Sequence, residues 1–538
     1  MTNKRGIVMK RFSKKLLSLI LVLALTVTAF CFVIPSVSAS EDVTGTDIPM
    51  VYVVGMGNVL CVTEEDGTKR NVYPIEIPEG YIQQAVEENI DVFAKAVLTQ
   101  KWDDFCDVLY EKIVPLYSEI ALDENGEAPN GSTVKWTWSR KKLKGDKVDG
   151  KYPTSRYTFN YDWRMDPFKN AEKLHQYIED VMYVTGAEKV ALTGRCMGAA
   201  LTDAYMQKYN GEYVSDYIVY NSAANGATQC SKAFCGELYL DSDAVERYMY
   251  DIELSEDQTL NQLIRAFITM FNKTYGLDIA CWSVNNVYPD IYLNIVPRIL
   301  RETFATFPSY WTMVNDRDYE KAKETVFYGA PEGKYDNFIK IIDNYHYNVQ
   351  VKAEELYKGY IEDGIEVSNI TKYGQQTIPV TADGDVLSDS ICTVEDSSYG
   401  ATTAGVTETF SDQYMKKAEF DGTIKYISPD KKVDASTCML PDRTWFIKDL
   451  AHKAFPKCVE RLLDEIINND SFTVFDNENY PQYLVYSKVD DVASISPMDG
   501  DNCHKDDRYD NSFWSAFKKF VEAFLLIFHQ FGVVRHDI

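Results

Sequence analysis

The feature that most constrains this chain is a short run in its first half. Lys189-Val190-Ala191-Leu192-Thr193 reads as a buried strand, and Gly194-Arg195-Cys196-Met197-Gly198 follows it at once. Gly198, Ala199 and Ala200 then open a helical pattern. Glycines two positions either side of Cys196 fit a turn so sharp that a side chain there would collide with the strand or the helix. Such a turn lifts the central residue over the sheet edge, beside helix N-terminal amides that favour a thiolate or an oxyanion. A buried cysteine in an ordinary strand–helix turn packs only as a small hydrophobe, so the surrounding pattern has to add weight.

It does. Residues 48–54 form a β-branched run ending at Gly55-Met56-Gly57-Asn58, a strand feeding a glycine turn. Residues 80–122 show helical spacing, 124–156 are polar and glycine-rich and read as a loop, and 158–163 are a short strand and its exit. An amphipathic helix is expected over 170–185, with Ala171, Leu174, Ile178 and Met182 inward and Gly186 as its stop. Tyr217-Ile218-Val219-Tyr220 is a further strand. Strand and helix patterns in alternation predict an α/β chain, a doubly wound and mostly parallel sheet. Residues 228–350 are aromatic-rich and helical without strand alternation, and are expected to form a large cap inserted between core strands. Strand signals resume over 364–370.

The resulting division is a leader over 1–39, core over 40–227, cap over 228–350, core again over 351–470, and an extension over 471–538. The leader carries six cations between Lys4 and Lys15, an apolar run over 16–34, and Val37 and Ala39 spaced for signal-peptidase cleavage after Ala39. Secretion, or retention at the outer face of the cell, is the expectation; a retained membrane anchor is the minority alternative. Without the leader the chain holds 49 basic against 81 acidic residues, which opposes a nucleic-acid role. Ten cysteines remain, without a CxxC pair, so zinc-ribbon and thioredoxin readings fail. No HExxH, phosphate loop or dinucleotide fingerprint occurs, so neither a metal nor a cofactor is expected. Near the C-terminus Phe513, Trp514, Phe517, Phe520, Val521, Phe524, Leu525, Phe528 and Phe531 recur at three- and four-residue steps. This aromatic amphipathic helix, over 513–531, either docks on the protein's own core or lies on a membrane surface.

Two motifs in tandem carry a family resemblance. Phe159-Asn160-Tyr161-Asp162-Trp163-Arg164, then the run from Thr185 to Gly198, resemble the lecithin:cholesterol acyltransferase-like branch of the α/β-hydrolases. Gly194 and Gly198 stand where that family has the glycines of its G-x-S-x-G nucleophile elbow. Residues 53–58 resemble its first-strand glycine loop, Asp383-Gly384-Asp385-Val386 its acid turn, and 434–452 the segment bearing its histidine. The resemblance implies an α/β-hydrolase fold and the order Cys196, Asp383, His452. Cys196 would be the nucleophile, His452 the base and Asp383 the residue orienting it, with the amides of Met56 and Met197 as oxyanion hole. Asp385 and Asp389 are rivals for the acid; His175, His346, His504, His529 and His536 are rivals for the base. Three residues depart from the family: Cys196 replaces serine, Arg195 the histidine before it, and Val54 the histidine before Gly55. The implied function is a secreted acyl-ester hydrolase or O-acyltransferase acting on a lipid or other acyl ester. The alternative is a hydrolase-like binding protein without turnover.

Overall fold

The computed structural model describes residues 45–78, 80–251, 258–382, 384–490 and 492–503, with 516, 518 and 519. The leader over 1–39, Asp383, His504, His529, His536 and nearly all of the aromatic segment 513–531 lie outside the described residues.

An eight-stranded sheet organises the chain. Its strands are β1 (Met50–Val53), β2 (Tyr157–Phe159), β3 (Val190–Cys196), β4 (Val214–Ser222), β5 (Glu366–Tyr373), β6 (Thr444–Lys448), β7 (Tyr483–Val489) and β8 (Val492–Pro497). Their spatial order is β8-β7-β6-β5-β4-β3-β1-β2. All neighbours are parallel except the β7–β8 hairpin. The fold is therefore α/β around a mostly parallel sheet whose central strands are buried on both faces, which is why β1 and the first half of β3 read as apolar runs rather than alternating ones.

The two faces are separated by strand periodicity. Val51 and Val53 point into one core with Leu192, Val219 and Val367, under the helices Pro167–Thr185 and Met197–Tyr209. Met50 and Tyr52 point into the other with Ile218, Ile370 and Trp445, which the helix Lys457–Asn468 closes through Leu462, Leu463 and Ile466. The helix Pro167–Thr185 starts and stops where its sequence says: the Asp166 carboxylate accepts the Phe168 amide, Pro167 opens the first turn, and Gly186 ends it at φ 69°.

Three sequence expectations need correction. The helical spacing over 80–122 is two helices, Tyr81–Thr99 and Asp103–Tyr117, because Gln100 adopts a left-handed φ of 55° and Trp102 turns into the core against Phe93 and Phe105. The stretch 124–156, expected to be loop, contributes short strands: Thr133–Val134 completes a three-stranded sheet with Leu60–Thr63 and Lys69–Tyr73, and Tyr152–Pro153 pairs with Gly45–Thr46. The extension drawn from 471 begins inside the sheet, since β7 continues the parallel ladder through Phe446–Tyr483, Ile447–Leu484 and Lys448–Val485 pairs.

Between β4 and β5 the chain is helical, and its longest helix there, Gly276–Arg301, packs on Asp103–Tyr117. The ten cysteines after the leader are all free thiols. Among the described residues no helix is long and apolar enough to cross a membrane.

Candidate active site

β1 sits where the strand order reverses, with β2 on one side and β3 on the other. In open parallel sheets this reversal opens a crevice at the carboxyl ends of the strands. Cys196 stands at that end of β3 and caps the helix Met197–Tyr209. Its backbone, at φ 54° and ψ −129°, lies in a region costing of order 1–3 kcal/mol for a residue with a side chain. The glycines around it are required by space. A Cβ on Gly194 would meet the Thr202 hydroxyl at 2.1 Å, and one on Gly198 the carbonyl oxygens of Val53 and Val54 at 2.5 Å each. A Cβ on Gly55 would lie 2.8 Å from that of Cys196, so the glycine loop after β1 lies directly against the elbow.

The Tyr161-Asp162-Trp163-Arg164 motif holds that loop. The Tyr161 hydroxyl donates to the Val54 carbonyl at 2.9 Å, the Trp163 indole to the Asn58 carbonyl at 3.1 Å, and the Asn58 amide back to the Tyr161 carbonyl at 3.0 Å. Arg164, fully buried, pairs with Asp162 at 2.6 Å and spends its other N–H groups on Ile120 and Ser132 at 2.8–3.0 Å. A buried ion pair is tolerable only when its spare donors are satisfied in this way. Met56, beside Gly55, receives the Tyr310 hydroxyl on its sulfur at 3.0 Å.

The Cys196 thiol and the His452 imidazole lie close enough to dominate each other's ionisation, and the Met197 amide acts on the same sulfur. His452 comes from the irregular segment after β6. Its Nδ1 lies 2.7 Å from Asp389 Oδ2, leaving Nε2 for the thiol. Asp389 is fully buried, and its Oδ1 accepts the amides of Ile391 and Cys392 at 3.1 and 2.8 Å. The carboxylate on the imidazole is thus Asp389, six positions after Asp383. Asp383, given that role by resemblance, lies outside the described residues, while Asp385 binds the Val406 amide instead. Of the other described histidines, His175 stacks on Tyr209 and His346 on Tyr319, each away from the elbow.

Electrostatics join the three groups. Burial alone would raise the Cys196 thiol, but the charge and hydrogen bond of His452, then Arg195 and the Met197 amide, bring it below its ordinary value. Burial would lower His452, but Asp389 and the Cys196 sulfur hold it up at about 9. Asp389 is drawn down to about 2: burial opposes ionisation, and the charges of His452 and Lys372 prevail. The arrangement favours ionisation of the thiol beside a charged imidazole that rests on a carboxylate.

Asp389, His452 and Cys392 also place one metal-ligating atom each within 4.8 Å of one another. The 2.7 Å separation of Asp389 from His452 is a hydrogen bond. An ion held at about 2.0–2.2 Å from each ligand atom would have to displace that proton and push the pair apart. These residues as placed do not form a metal cage.

Two neighbours carried no motif in the sequence, and a third, Arg195, lay inside the elbow without an assigned role. Asn221, buried at the end of β4 with φ 51°, donates to Asp389 Oδ2 and lies 2.9 Å from His452 Nδ1. Lys372 and Arg195 both donate to the His452 carbonyl, at 2.7 and 3.0 Å. The signal available was a polar residue directly after the apolar run Tyr217-Ile218-Val219-Tyr220 for Asn221; Lys372 had none, being one of several polar residues in β5. The departures also find their places: Arg195 reaches across to the histidine loop, and Val54 packs at the edge of the second core.

No family model matches the chain, and no curated protein matches it. Among solved structures, one whose title reads "The crystal structure of Tle4-Tli4 complex" is similar, at 13% identity over 61% of this chain and 74% of that chain, with a TM-score of 0.21.

Proposed function

We propose that this protein is an acyl hydrolase or acyltransferase built on an α/β-hydrolase frame, working through a thioester on Cys196. The observation that carries the reading is the elbow itself, a strained left-handed cysteine at a strand–helix junction with its thiol on an imidazole that is in turn on a buried carboxylate. Strain of this kind persists only where the surroundings impose it, and it clusters at working sites.

The thiolate attacks the acyl carbonyl carbon, and the carbonyl electrons move to oxygen. The Met197 and Met56 amides are the donors assigned to that oxyanion. As the intermediate collapses, the bond to the leaving oxygen breaks and His452 Nε2 gives that oxygen its proton. The neutral imidazole next takes a proton from water or an acceptor alcohol, whose oxygen attacks the thioester. Collapse expels the thiolate and regenerates the imidazolium. Asp389 holds the Nδ1 proton throughout and stabilises the charged ring.

The substrate side of the reading rests on the elbow chemistry; an apolar cavity of about 130 Å³ among Leu109, Ile113, Tyr288, Ile291, Ile295 and Leu300 is lined by none of Cys196, Asp389 and His452, and would serve only as a remote chain-binding wall. Walls of this kind suit an acyl chain better than a sugar or a peptide backbone. Our proposal also places the enzyme outside the cytoplasm after loss of 1–39, with 513–531 as its contact to a lipid surface. The test is a burst experiment: a p-nitrophenyl ester should release nitrophenol in a burst matched by an acyl mass on the Cys196 peptide. Cys196→Ala should lose both. Full turnover by Cys196→Ala would sink the proposal, and ester binding without any turnover would favour the hydrolase-like binding protein.

A further inference from the structure

The base of this site does not lie on a regular element. His452 follows Asp449, whose φ is 65°, and precedes the helix Lys457–Asn468 by a short irregular run. Its own amide donates to the Asp389 carbonyl at 3.1 Å. What fixes the rest of that run comes from the sheet beneath it. Lys372, with no exposed surface, stands in β5 between β4 and β6. Its Nζ donates to the carbonyls of Ala451, His452 and Ala454 at 2.9, 2.7 and 3.2 Å, over the ring of Tyr220 at 5.1 Å. An ammonium has three N–H groups, and here each meets one carbonyl of the same four-residue stretch.

We propose that Lys372 is the positioning residue of His452, an ammonium fastener that sets the imidazole against Cys196. It does not touch the reacting atoms, and the inference rests on the thiolate–imidazolium reading above.

A buried lysine is costly unless its charge is solvated, and three carbonyls are a sufficient shell only while all three stay where they are. The fastener and the loop therefore hold each other. Arg195 adds a second cation on the His452 carbonyl, donated from the residue beside the nucleophile, so nucleophile and base are tied through one oxygen atom. The titratable and charged groups facing Lys372 are Arg195, Asp389, Cys392 and Cys196. Burial, then Arg195, pulls the ammonium down to about 7, while Asp389 and the two sulfurs support it. A residue serving the core alone would have no need of this charge; a methionine fills the same volume without it.

The experiment reads the thiolate rather than an ester, so no substrate need be known. Full-length protein is alkylated with iodoacetamide at pH 6 and the Cys196 peptide is quantified by mass spectrometry. Lys372→Met, with native circular dichroism, should alkylate at least tenfold more slowly, as the imidazole drifts and the thiol regains its proton. A purely structural lysine would lower the melting temperature and leave the rate of the folded protein within twofold of wild type; that result overturns the proposal. Should Lys372→Met fail to accumulate, Lys372→Gln keeps two N–H donors on a shorter arm. A drop of threefold or more in that variant supports the fastener, and a wild-type rate overturns it. His452→Ala is the control that separates the two claims. If it slows alkylation while the Lys372 variants do not, only the fastener fails; if it too alkylates at the wild-type rate, the thiolate–imidazolium pair fails, and the proposed function with it.

Discussion

The two halves of the candidate site are built in opposite ways. The nucleophile half is local: β3, the elbow and its helix are one stretch over 190–209, and the glycines that shape it lie within two residues of Cys196. The other half is assembled from Asp389 and His452, 63 residues apart, neither on a helix nor on a main-sheet strand. Asn221 from β4, Lys372 from β5 and Arg195 from the elbow hold them from outside. A turn can be encoded largely by its own residues: the demand on Gly194 comes from Thr202 and Ala199 nearby, and that on Gly198 alone from the distant carbonyls of Val53 and Val54. A base on an irregular segment owes its place to groups distant in sequence, so its precision depends on the whole sheet being formed.

The largest expected effect tests the distant half. Asp389→Asn should reduce ester turnover about a thousandfold, since an amide leaves the imidazole in the wrong tautomer and its charge uncompensated. Asp383→Asn should stay within twofold of wild type. If steady-state kinetics show the reverse, the acid turn belongs where the motif put it. The local half is broken through space rather than chemistry. Gly198→Ala should cost about 2–3 kcal/mol in urea unfolding, because its Cβ would press on two backbone carbonyls at 2.5 Å that cannot swing away. Equal stability of this variant and wild type would show that the elbow relaxes.

Asn221→Ala should be milder, about tenfold in turnover, with substrate affinity little changed. It removes a hydrogen bond to Asp389 without removing the carboxylate. A change confined to KM would assign Asn221 to the substrate instead. The smallest effect concerns pH, measured in Cys196→Ala so that the thiol does not titrate. Asp389 is drawn down, so its contribution to stability is present above the ordinary carboxylate value near 4 and fades as pH falls toward 2. His452 loses the support of the sulfur in this background but keeps that of Asp389, so it stays held up by less than in wild type; its contribution is full below about 6.5 and is lost as pH rises through that raised value, below the wild-type one of about 9. The gap in urea midpoint between this background and its Asp389→Asn derivative should be widest near pH 5.5, and narrower at pH 3 and at pH 9.5. A gap that ignores pH would mean that the two groups are not paired.

Much of the frame was legible before any coordinates. The alternation of buried runs with helical spacing read as a mostly parallel sheet because strands covered on both faces lose their polar residues. The helix Pro167–Thr185 announced itself through Asp166, Pro167 and Gly186. The elbow announced itself through Gly194, whose Cβ would strike Thr202 and Ala199 a few residues on. These are short-range constraints, and the amino-acid order states them by itself. The acid could not be singled out in this way, for the complementary reason. Asp383, Asp385 and Asp389 fall within seven residues of one loop, and nothing local distinguishes them. Only the folded chain brings Asp389 to His452 Nδ1, and it does so with the amides of Ile391 and Cys392 already turned toward the carboxylate. Lys372 is the sharper case. In sequence it is one polar residue among several in β5, and its meaning lies in three carbonyls some eighty residues away. The sequence determined by itself where a nucleophile could stand, since sterics between neighbours decide that. Which carboxylate and which cations serve it was decided by tertiary structure, because burial gives a charge its partners only once distant segments have met.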